Sequence, residues 1–317
     1  MTMAAIGLAC TRPTLARPLR HVGIISTFSL ATSRRWHDAF VEGMQELGWR
    51  DGETVRIHSR YAGGRSESLS RLAAELLGLG AEVVVAWTRA DARAIQAIDP
   101  SIPIVMASSP NFVGLGLAQS LSRPAGHITG LSEIAAEITS KRLELLQEIV
   151  PQLTHLAVLT EPTGVNARLG WEDLQPPART LGIVTTEVAA RETSQFETAF
   201  RSARDTGARA ILVMPNPLFA ENLGALAALA EKHRLPSMFH LREFALLGGL
   251  VTYGADRRAN FRRAVYYVHS ILNGARPSDL PIERPTKVEL VVNLRTAAAL
   301  GLRIPDVVLA RTDELIE

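Results

Sequence analysis

The sequence predicts an α/β fold in which two Rossmann-like lobes, each a doubly wound parallel sheet, are joined by three crossing strands. From His21 onward, short apolar runs alternate with amphipathic helical stretches, which is typical of a parallel sheet covered by helices on both faces. This alternation stops near residues 123–132 and then begins again. At 317 residues, the chain is long enough for two domains of ordinary size.

A series of strand and helix patterns predicts the first lobe. The β-branched run HVGIIST (21–27) predicts a strand, and Trp36, Phe40 and Met44 recur at helical spacing in a helix expected over about 33–47. The next patterns are, in order, strand TVRIHSR, helix SLSRLAAELLGLG, strand AEVVVAW, helix DARAIQAI and strand IPIVMAS. AEVVVAW and IPIVMAS are continuous apolar runs, as expected where both faces of a sheet are covered.

The second lobe follows the same plan without a visible sequence repeat. Helix ITSKRLELLQEIV ends at Pro151, and further helices are predicted around 165–181, around 194–206 and over ENLGALAALAEKHR. The strands of this lobe are HLAVLT, GIVTTEV, ARAILVMP and PSMFH. A later helix carries Phe261 and Val265 on one face.

Three extended segments of mixed polarity predict the connections between the lobes: RPAGHITGLSEI, GGLVTYGAD and RPTKVELVVNL. Gly and Pro disfavour strand interiors, but a strand beside a solvent-filled cleft is buried on one side only and tolerates this composition. The expected division is lobe 1 over 21–130 and 255–284, lobe 2 over 134–250 and 288–317, and crossings near 130–134, 250–255 and 284–288.

The first residues form a weak export signal. MTMAAIGLAC has a short apolar run without basic residues ahead of it, and no stretch approaches the roughly 20 residues of a membrane span. Its GLAC ending resembles a lipoprotein cleavage site with Cys10 as the lipidated residue, and the alternatives are a disordered leader over 1–20 or a misassigned start. Since Cys10 is the only cysteine, an internal disulfide and a cysteine-based structural metal site are excluded.

Composition and motifs argue against several classes of function. A net charge of +2 favours neither nucleic acid nor an anionic membrane as a partner. GLGLAQ lacks the third glycine of a dinucleotide fingerprint, and the sequence has no GxxxxGK[ST], GxSxG or HExxH motif. The eight histidines lack metal-ligand spacing. We therefore expect no cofactor, no bound metal and no enzymatic activity.

Candidate binding residues follow the carboxyl ends of the predicted strands, where open α/β sheets bind ligands. These loops (STFSLATS, WTRAD, SSPNF, TEPTGVN and PNP) open helices whose free N–H groups suit a carboxylate. Taken singly, each polar residue is better explained as an N-cap, but their presence at strand ends of both lobes favours a cleft. Trp87 and Tyr253 are candidates to stack on a ligand ring, whereas the helical spacing of Trp36 indicates a core position. The predicted ligand-binding residues are Ser26, Thr27, Phe28, Trp87, Thr88, Arg89, Ser108, Ser109, Asn111, Thr160, Glu161, Asn166, Pro215, Asn216 and Tyr253.

Four longer stretches carry a family resemblance: SRPAGHITGLS, KRLELLQEIVP, LREFALLGGLVTYG and RPTKVELVVNLRTAAALGLRIPDVVLARTDELIE. With these stretches, residues 21–317 resemble the solute-binding proteins of the tryptophan/tyrosine-type ABC transporter family. The resemblance implies a type I periplasmic-binding-protein fold with a ligand in the cleft between the lobes. It also implies a periplasmic receptor that acts as a monomer and delivers its ligand to a membrane permease.

Two turns depart from the family pattern where the ligand is expected. Family members usually carry a Gly-Thr-Pro-like turn after the third strand, which here reads Trp87-Thr88-Arg89, and an Asp-Pro pair after the fourth, which here is Asn111-Phe112. An Asn cannot supply the charge that would pair with a ligand's ammonium group. A carboxylate with an aromatic or apolar body, held by Arg89 and helix N-termini, is therefore expected to fit at least as well as an aromatic amino acid.

Two other functions compete with that of a receptor. The sensory core of a transcription regulator can share this fold, but residues 1–20 contain no helix pair for DNA binding. An enzyme on this scaffold would need a general base, for which Asp91 and Glu161 are candidates, but neither has an evident partner in the sequence. The sequence favours the receptor.

Overall fold

Two sheets flanked by helices organise the protein. The computed structural model describes residues 18–109, 111–133, 135–163, 165–285 and 287–317, and within them the chain alternates between strands and helices as predicted. The predictions for Cys10 and for the rest of residues 1–17 lie outside the described residues.

The first sheet and its connecting helices come from the first half of the chain. Its strands are β1 (Arg20–Ser26), β2 (Val55–Tyr61), β3 (Val83–Ala86), β4 (Ile104–Ser109) and β5 (Ile128–Ser132), and helices α1 (Leu30–Glu46), α2 (Leu69–Gly78) and α3 (Arg89–Gln96) connect β1 to β4. The strand order is β2-β1-β3-β4-β5 and the paired strands run parallel. The order reverses between β1 and β3, as in a doubly wound sheet.

The second sheet repeats this order and extends it. Its strands are β6 (His155–Thr160), β7 (Val184–Ala189), β8 (Ala210–Val213), β9 (Ser237–Phe239), β10 (Val251–Ala255), β11 (Val288–Asn293) and β12 (Glu314–Ile316), in the order β12-β11-β10-β9-β8-β6-β7. The helices are α4 (Ala135–Ile149), α5 (Val165–Thr180), α6 (Phe196–Asp205), α7 (Pro217–Ala220), α8 (Leu223–Lys232), α9 (Arg242–Leu246), α10 (Arg257–Leu272), α11 (Leu294–Leu300) and α12 (Asp306–Leu309).

The two-sheet α/β architecture confirms the predicted fold class, with two differences in detail. β10 and β11 pair antiparallel, so the second sheet is mostly rather than wholly parallel. The short elements α7, α9, α11, α12 and β12 were not predicted, because they are too brief to show a periodic pattern. No helix in the described part of the chain is both long and apolar enough to cross a membrane.

Helix α10 follows a strand of the second sheet but packs on the first. It contacts α1 and β4, and it buries Phe261, Val265 and Val268 along one face. Gly43 lets α1 approach closely, since an added Cβ there would lie 3.0 Å from Val265 Cγ2. We call the first sheet with α1–α3 and α10 the first lobe, and the second sheet with the remaining helices the second lobe.

The chain passes between the lobes in three places, and the third passing segment touches both of the others. The amide N–H of Ser132 donates to the Glu283 carbonyl (2.8 Å), and that of Asp256 donates to the Lys287 carbonyl (3.1 Å). The strands themselves each belong to one sheet, β5 to the first and β10 and β11 to the second, so the connections run through their ends. Gly130 is needed in β5 because it has a φ of 135° and because an added Cβ would overlap the Met106 carbonyl oxygen.

Candidate ligand-binding site

The two lobes touch across the cleft that separates them. The Ser29 amide after β1 donates a hydrogen bond to the Glu221 carboxylate beyond β8 (2.7 Å). On α1, Arg35 lies 3.8 Å from Glu243 of α9. Both contacts join an element of one lobe to an element of the other, so the cleft is closed.

A cavity lies between the lobes and encloses about 780 Å³ of empty space, which includes some open solvent. We call it the binding cavity. It is lined by Asn111, Leu115, Glu133, Ile138, Thr139, Arg142, Leu169, Gly170, Asp173, Met214, Pro215 and Arg257. These residues come from the loop after β4, from α4, α5 and the β8 end, and from the start of α10.

One part of the cavity wall is apolar and includes a flexible side chain. Leu115, Ile138, Leu169 and Met214 line it. Gly170 faces the cavity from α5, and an added Cβ there would lie 2.5 Å from Met214 Cε. The absence of a side chain at Gly170 therefore lets the flexible Met214 side chain pack close to α5 at the cavity wall.

A buried charge cluster of Glu133, Arg142 and Arg257 forms the polar part of the wall. Arg142 is 6% exposed, and its Nε donates to the Tyr253 carbonyl (2.8 Å). Burial lowers the pKa of Arg142 to about 10, and Glu133 opposes this shift, so the guanidinium remains charged at neutral pH. Ser108 donates its hydroxyl hydrogen to Glu133, which lies 4.0 Å from Arg257 Nη2.

A smaller and narrow pocket, the rear cavity, lies on the other side of Arg257, and its 310 Å³ of empty space includes open solvent. Trp36, His240 and Gly254 line it together with Arg257. Burial lowers the pKa of His240 well below 6.5, and Arg257 and Arg142 lower it further, so this ring is neutral at pH 7. Its Nδ1 is buried and has no hydrogen-bond partner among the described residues.

Asn111 and Pro215 are the predicted binding residues that line the binding cavity. The Asn111 side-chain oxygen accepts from the Gly114 amide (2.8 Å), which leaves its NH₂ group available. Ser108 reaches the charge cluster through Glu133. The Ser109 hydroxyl is buried and has no partner among the described residues.

The predicted hydroxyl residues after β1 and β3 instead bond to one another within the first lobe. Thr27 donates to Asp91 (2.6 Å), and the Ser26 hydroxyl accepts from the Phe28 amide (3.0 Å). Thr88 and Asp91 form a capping box that opens α3. Burial raises the pKa of Asp91 to about 6, and its hydrogen bonds oppose this shift. Asp91, the candidate general base, thus holds this turn together.

Trp87 and Phe28 are also placed inside the first lobe. Trp87 is 3% exposed, and its ring centroid lies 4.3 Å from that of Phe261 and 5.4 Å from that of Trp36. The Phe28 ring belongs to the same group, with its centroid 6.1 Å from that of Trp36 and 6.3 Å from that of Trp87. Trp36 is buried, as its helical spacing predicted. These rings form one aromatic core.

Arg89 and Tyr253 are occupied by contacts of their own. Arg89 Nε donates to the Leu115 carbonyl (3.0 Å), which turns this arginine toward the loop after β4. Tyr253 is half-buried in β10, and its ring packs on the core of the second lobe.

In the second lobe, Thr160 donates to Glu187 (2.6 Å), and Glu161 accepts from the Thr163 amide (3.2 Å). Asn216 is the N-cap of α7 and accepts from the Leu218 amide (2.8 Å). The side chain of Asn166 lies outside the described residues. The predicted binding role of each of these residues stays a prediction.

Glu133, Arg142, Asp173 and Arg257 line the cavity but were not among the predicted residues. Glu133 lies at the end of the first crossing, and Arg257 follows the second. A charged residue next to a crossing segment was therefore the sequence feature that could have identified them as cavity residues. Arg142 lies on α4, and charged residues on helices are usually solvent-exposed, so its burial could not be anticipated. No group of three or more potential metal ligands occurs in the described part of the chain.

Comparison with known proteins identifies the family. Residues 21–316 match the family model described as ABC transporter substrate binding protein. The protein belongs to this family. The match confirms the resemblance found in the sequence, and the members of the family are binding proteins.

Individual relatives are distant but cover most of the chain. A tyrosine-binding protein of Clostridioides difficile strain R20291 is 20% identical over 293 residues, which are 92% of this chain and 84% of the relative. A conserved domain protein from Vibrio cholerae has a TM-score of 0.87 at 23% identity, over 93% of this chain and 99% of the other. An ABC domain from Streptococcus pneumoniae in complex with L-Trp has a TM-score of 0.86 at 20% identity, over 94% of this chain and 100% of the other. The solved structures support the fold.

Proposed function

We propose that the protein is the solute receptor of an ABC import system and that it captures an aromatic amino acid or an aromatic or apolar carboxylate in the binding cavity. The observation that carries this proposal is the cavity itself, because it combines an apolar wall with buried charges and lies between the two lobes. The named relatives bind tyrosine and L-Trp, which makes the aromatic amino acids the first candidates.

The departure at Asn111 does not remove negative charge from the cavity. Asp173 and Glu133 both line it, and either can face a ligand's ammonium group. A zwitterionic amino acid therefore has partners for both of its charges. Aromatic amino acids are therefore candidate ligands together with the plain carboxylates that the sequence favoured.

The mechanism is closure of the lobes around the ligand, without covalent chemistry. Residues of both lobes line the cavity, so a ligand that contacts both stabilises the closed form relative to the open one. Release to a membrane permease requires the lobes to separate again. We place the protein on the periplasmic side of the membrane, as a monomeric receptor and not an enzyme.

A thermal-shift panel tests the proposal. The panel contains L-tryptophan, L-tyrosine, L-phenylalanine, indole-3-acetate, phenylacetate, branched-chain amino acids and short fatty acids. A ligand at about 100 times its Kd stabilises the folded protein by about 2.7 kcal/mol, which raises the melting temperature by several degrees. A shift with any aromatic compound supports the proposal, and no shift with any of them contradicts it.

Two glycine variants locate the binding event. Gly170→Met fills the binding cavity beside Met214, whereas Gly224→Met is a matched control because nothing lies within 4 Å of a Cβ added at Gly224 on α8. We expect Gly170→Met to abolish the ligand-induced shift and Gly224→Met to retain it. Retention of the full shift in both variants would place the ligand elsewhere.

A further inference from the structure

Arg257 occupies a position that joins the binding cavity to the rear cavity. It is the first residue of α10, directly after the N-cap residue Asp256 and the strand β10 that leads out of the second sheet. Its side chain lines both cavities and is 14% exposed. The guanidinium is thus largely removed from water at the point where the chain passes between the lobes.

The hydrogen-bonding capacity of this guanidinium is unused. A guanidinium has five N–H donors. Among the described residues, no acceptor lies within hydrogen-bonding distance of Arg257, and its ion pair with Glu133 has a separation of 4.0 Å. Its other contact is with the Trp36 ring, whose centroid lies 5.1 Å from Arg257 Cζ. The Trp36 face holds the guanidinium without satisfying any of its donors.

Arg35 and Arg258, which also line the rear cavity and make no hydrogen bond to the described residues, differ from Arg257 in their exposure. Arg35 lies 3.8 Å from Glu243 and Arg258 lies 3.5 Å from Glu42, and their side chains are 39% and 53% exposed. Arg142 is more deeply buried, but it donates to the Tyr253 carbonyl. Among the described arginines that line the two cavities, Arg257 therefore combines a largely buried side chain with guanidinium donors that make no hydrogen bond.

The charge balance of the buried cluster points in the same direction. Arg142 and Arg257 contribute two positive charges, and Glu133 contributes one negative charge. The Glu133 carboxylate also accepts a hydrogen bond from the Ser108 hydroxyl. A buried charge without a close partner is unfavourable, and a carboxylate that binds two guanidinium donors relieves this cost. His240, neutral and with an unpartnered Nδ1, borders the rear cavity beside Arg257 and adds a further polar group.

We infer that Arg257 binds the carboxylate of the ligand and makes the site selective for carboxylates over their neutral amides. This inference rests on the proposed function, and it places at Arg257 the carboxylate-binding role that was predicted for Arg89. The Trp36 ring packs on one face of the guanidinium and orients it. The apolar body of the ligand therefore lies in the binding cavity, and its carboxylate lies at the N-terminus of α10.

Matched acid and amide ligands test the inference by isothermal titration calorimetry. The aromatic pairs are L-tryptophan with L-tryptophanamide and phenylacetate with phenylacetamide, and the aliphatic pairs are L-leucine with L-leucinamide and hexanoate with hexanamide. Each pair is measured on the wild-type protein, on Arg257→Gln and on Arg262→Gln. Arg262 is the control because it lies on the same helix, is 46% exposed and pairs with Glu46 on the surface.

We expect Arg257→Gln to weaken the binding of the acid by at least about 30-fold and that of the amide by less than about threefold. Arg262→Gln is expected to leave both unchanged. An acid-over-amide preference that persists in Arg257→Gln would overturn the inference. Binding of aliphatic but not aromatic acids, with the same dependence on Arg257, would contradict the aromatic proposal and support this one. If no acid of either class binds the wild-type protein, both are wrong.

Discussion

Removal of the Glu221 carboxylate should weaken ligand binding although this residue does not line the binding cavity. Its carboxylate accepts a hydrogen bond from the Ser29 amide (2.7 Å), and Ser29 is the N-cap of the 17-residue helix α1. No acidic residue lies in the first turn of α1, so a residue of the opposite lobe supplies the negative charge that this helix end favours. Since the contact joins the two lobes, it stabilises only the closed form.

The expected size of the effect follows from this geometry. A hydrogen bond to a charged group contributes about 1.5–3 kcal/mol, and partial exposure of Glu221 reduces this to about 1–2 kcal/mol. A closed form that is less stable by this amount binds ligand about 5- to 30-fold more weakly. Glu221→Gln keeps an acceptor and loses the charge, so its effect should lie between those of the wild type and Glu221→Ala.

Isothermal titration calorimetry with the best ligand of the thermal-shift panel measures this effect. Glu46→Ala is the matched control, because Glu46 forms an ion pair with Arg262 inside the first lobe. The dissociation rate should increase more than the association rate falls, since the contact forms only after closure. An unchanged Kd in Glu221→Ala, or an equal loss in Glu46→Ala, would refute the reasoning.

Two other predictions concern the first lobe. The folded-state pKa of Asp91 is raised from 3.8 to about 6, so its contribution to stability is fully present below pH 3.8 and is lost as the pH rises through about 6. In urea unfolding, the stability of the wild type minus that of Asp91→Asn should therefore fall by about 2 to 2.5 kcal/mol between about pH 4 and pH 7, and a difference independent of pH would contradict the assignment. Asn111→Asp keeps the bond to the Gly114 amide and adds a negative charge at the cavity wall. It should tighten L-tryptophan binding about 2- to 5-fold while leaving indole-3-propionate, which has no ammonium group, unchanged or weaker, and calorimetry that finds no difference between the two ligands would reject this prediction.

The sequence was sufficient for the sheets and the long helices, because their patterns are local. Trp36, Phe40 and Met44 mark the buried face of α1, and the apolar runs of β3 and β4 mark strands covered on both faces. The antiparallel pairing of β11 with β10 could not be predicted from local sequence patterns. It depends on how the chain returns from α10, which is a property of the assembled fold.

The candidate site was harder to predict because capping and ligand binding use the same residue types. Thr27, Thr88 and Asn216 follow strand ends, as binding residues do. In the structure, however, Thr88 and Asn216 cap the helices that follow them, and Thr27 bonds to Asp91 in the neighbouring turn. The charge cluster joins positions 133, 142 and 257, which no local pattern relates. Only the path of the chain between the lobes brings them to one cavity wall.

A crystal structure of the protein soaked with the tightest-binding aromatic ligand tests the central claim most directly. The account predicts electron density for the ligand between the lobes, with its ring against Leu169 and Met214 and its carboxylate at Arg257. Density for the ligand outside the interlobe cavity, or an empty cavity at saturating ligand, would contradict the account.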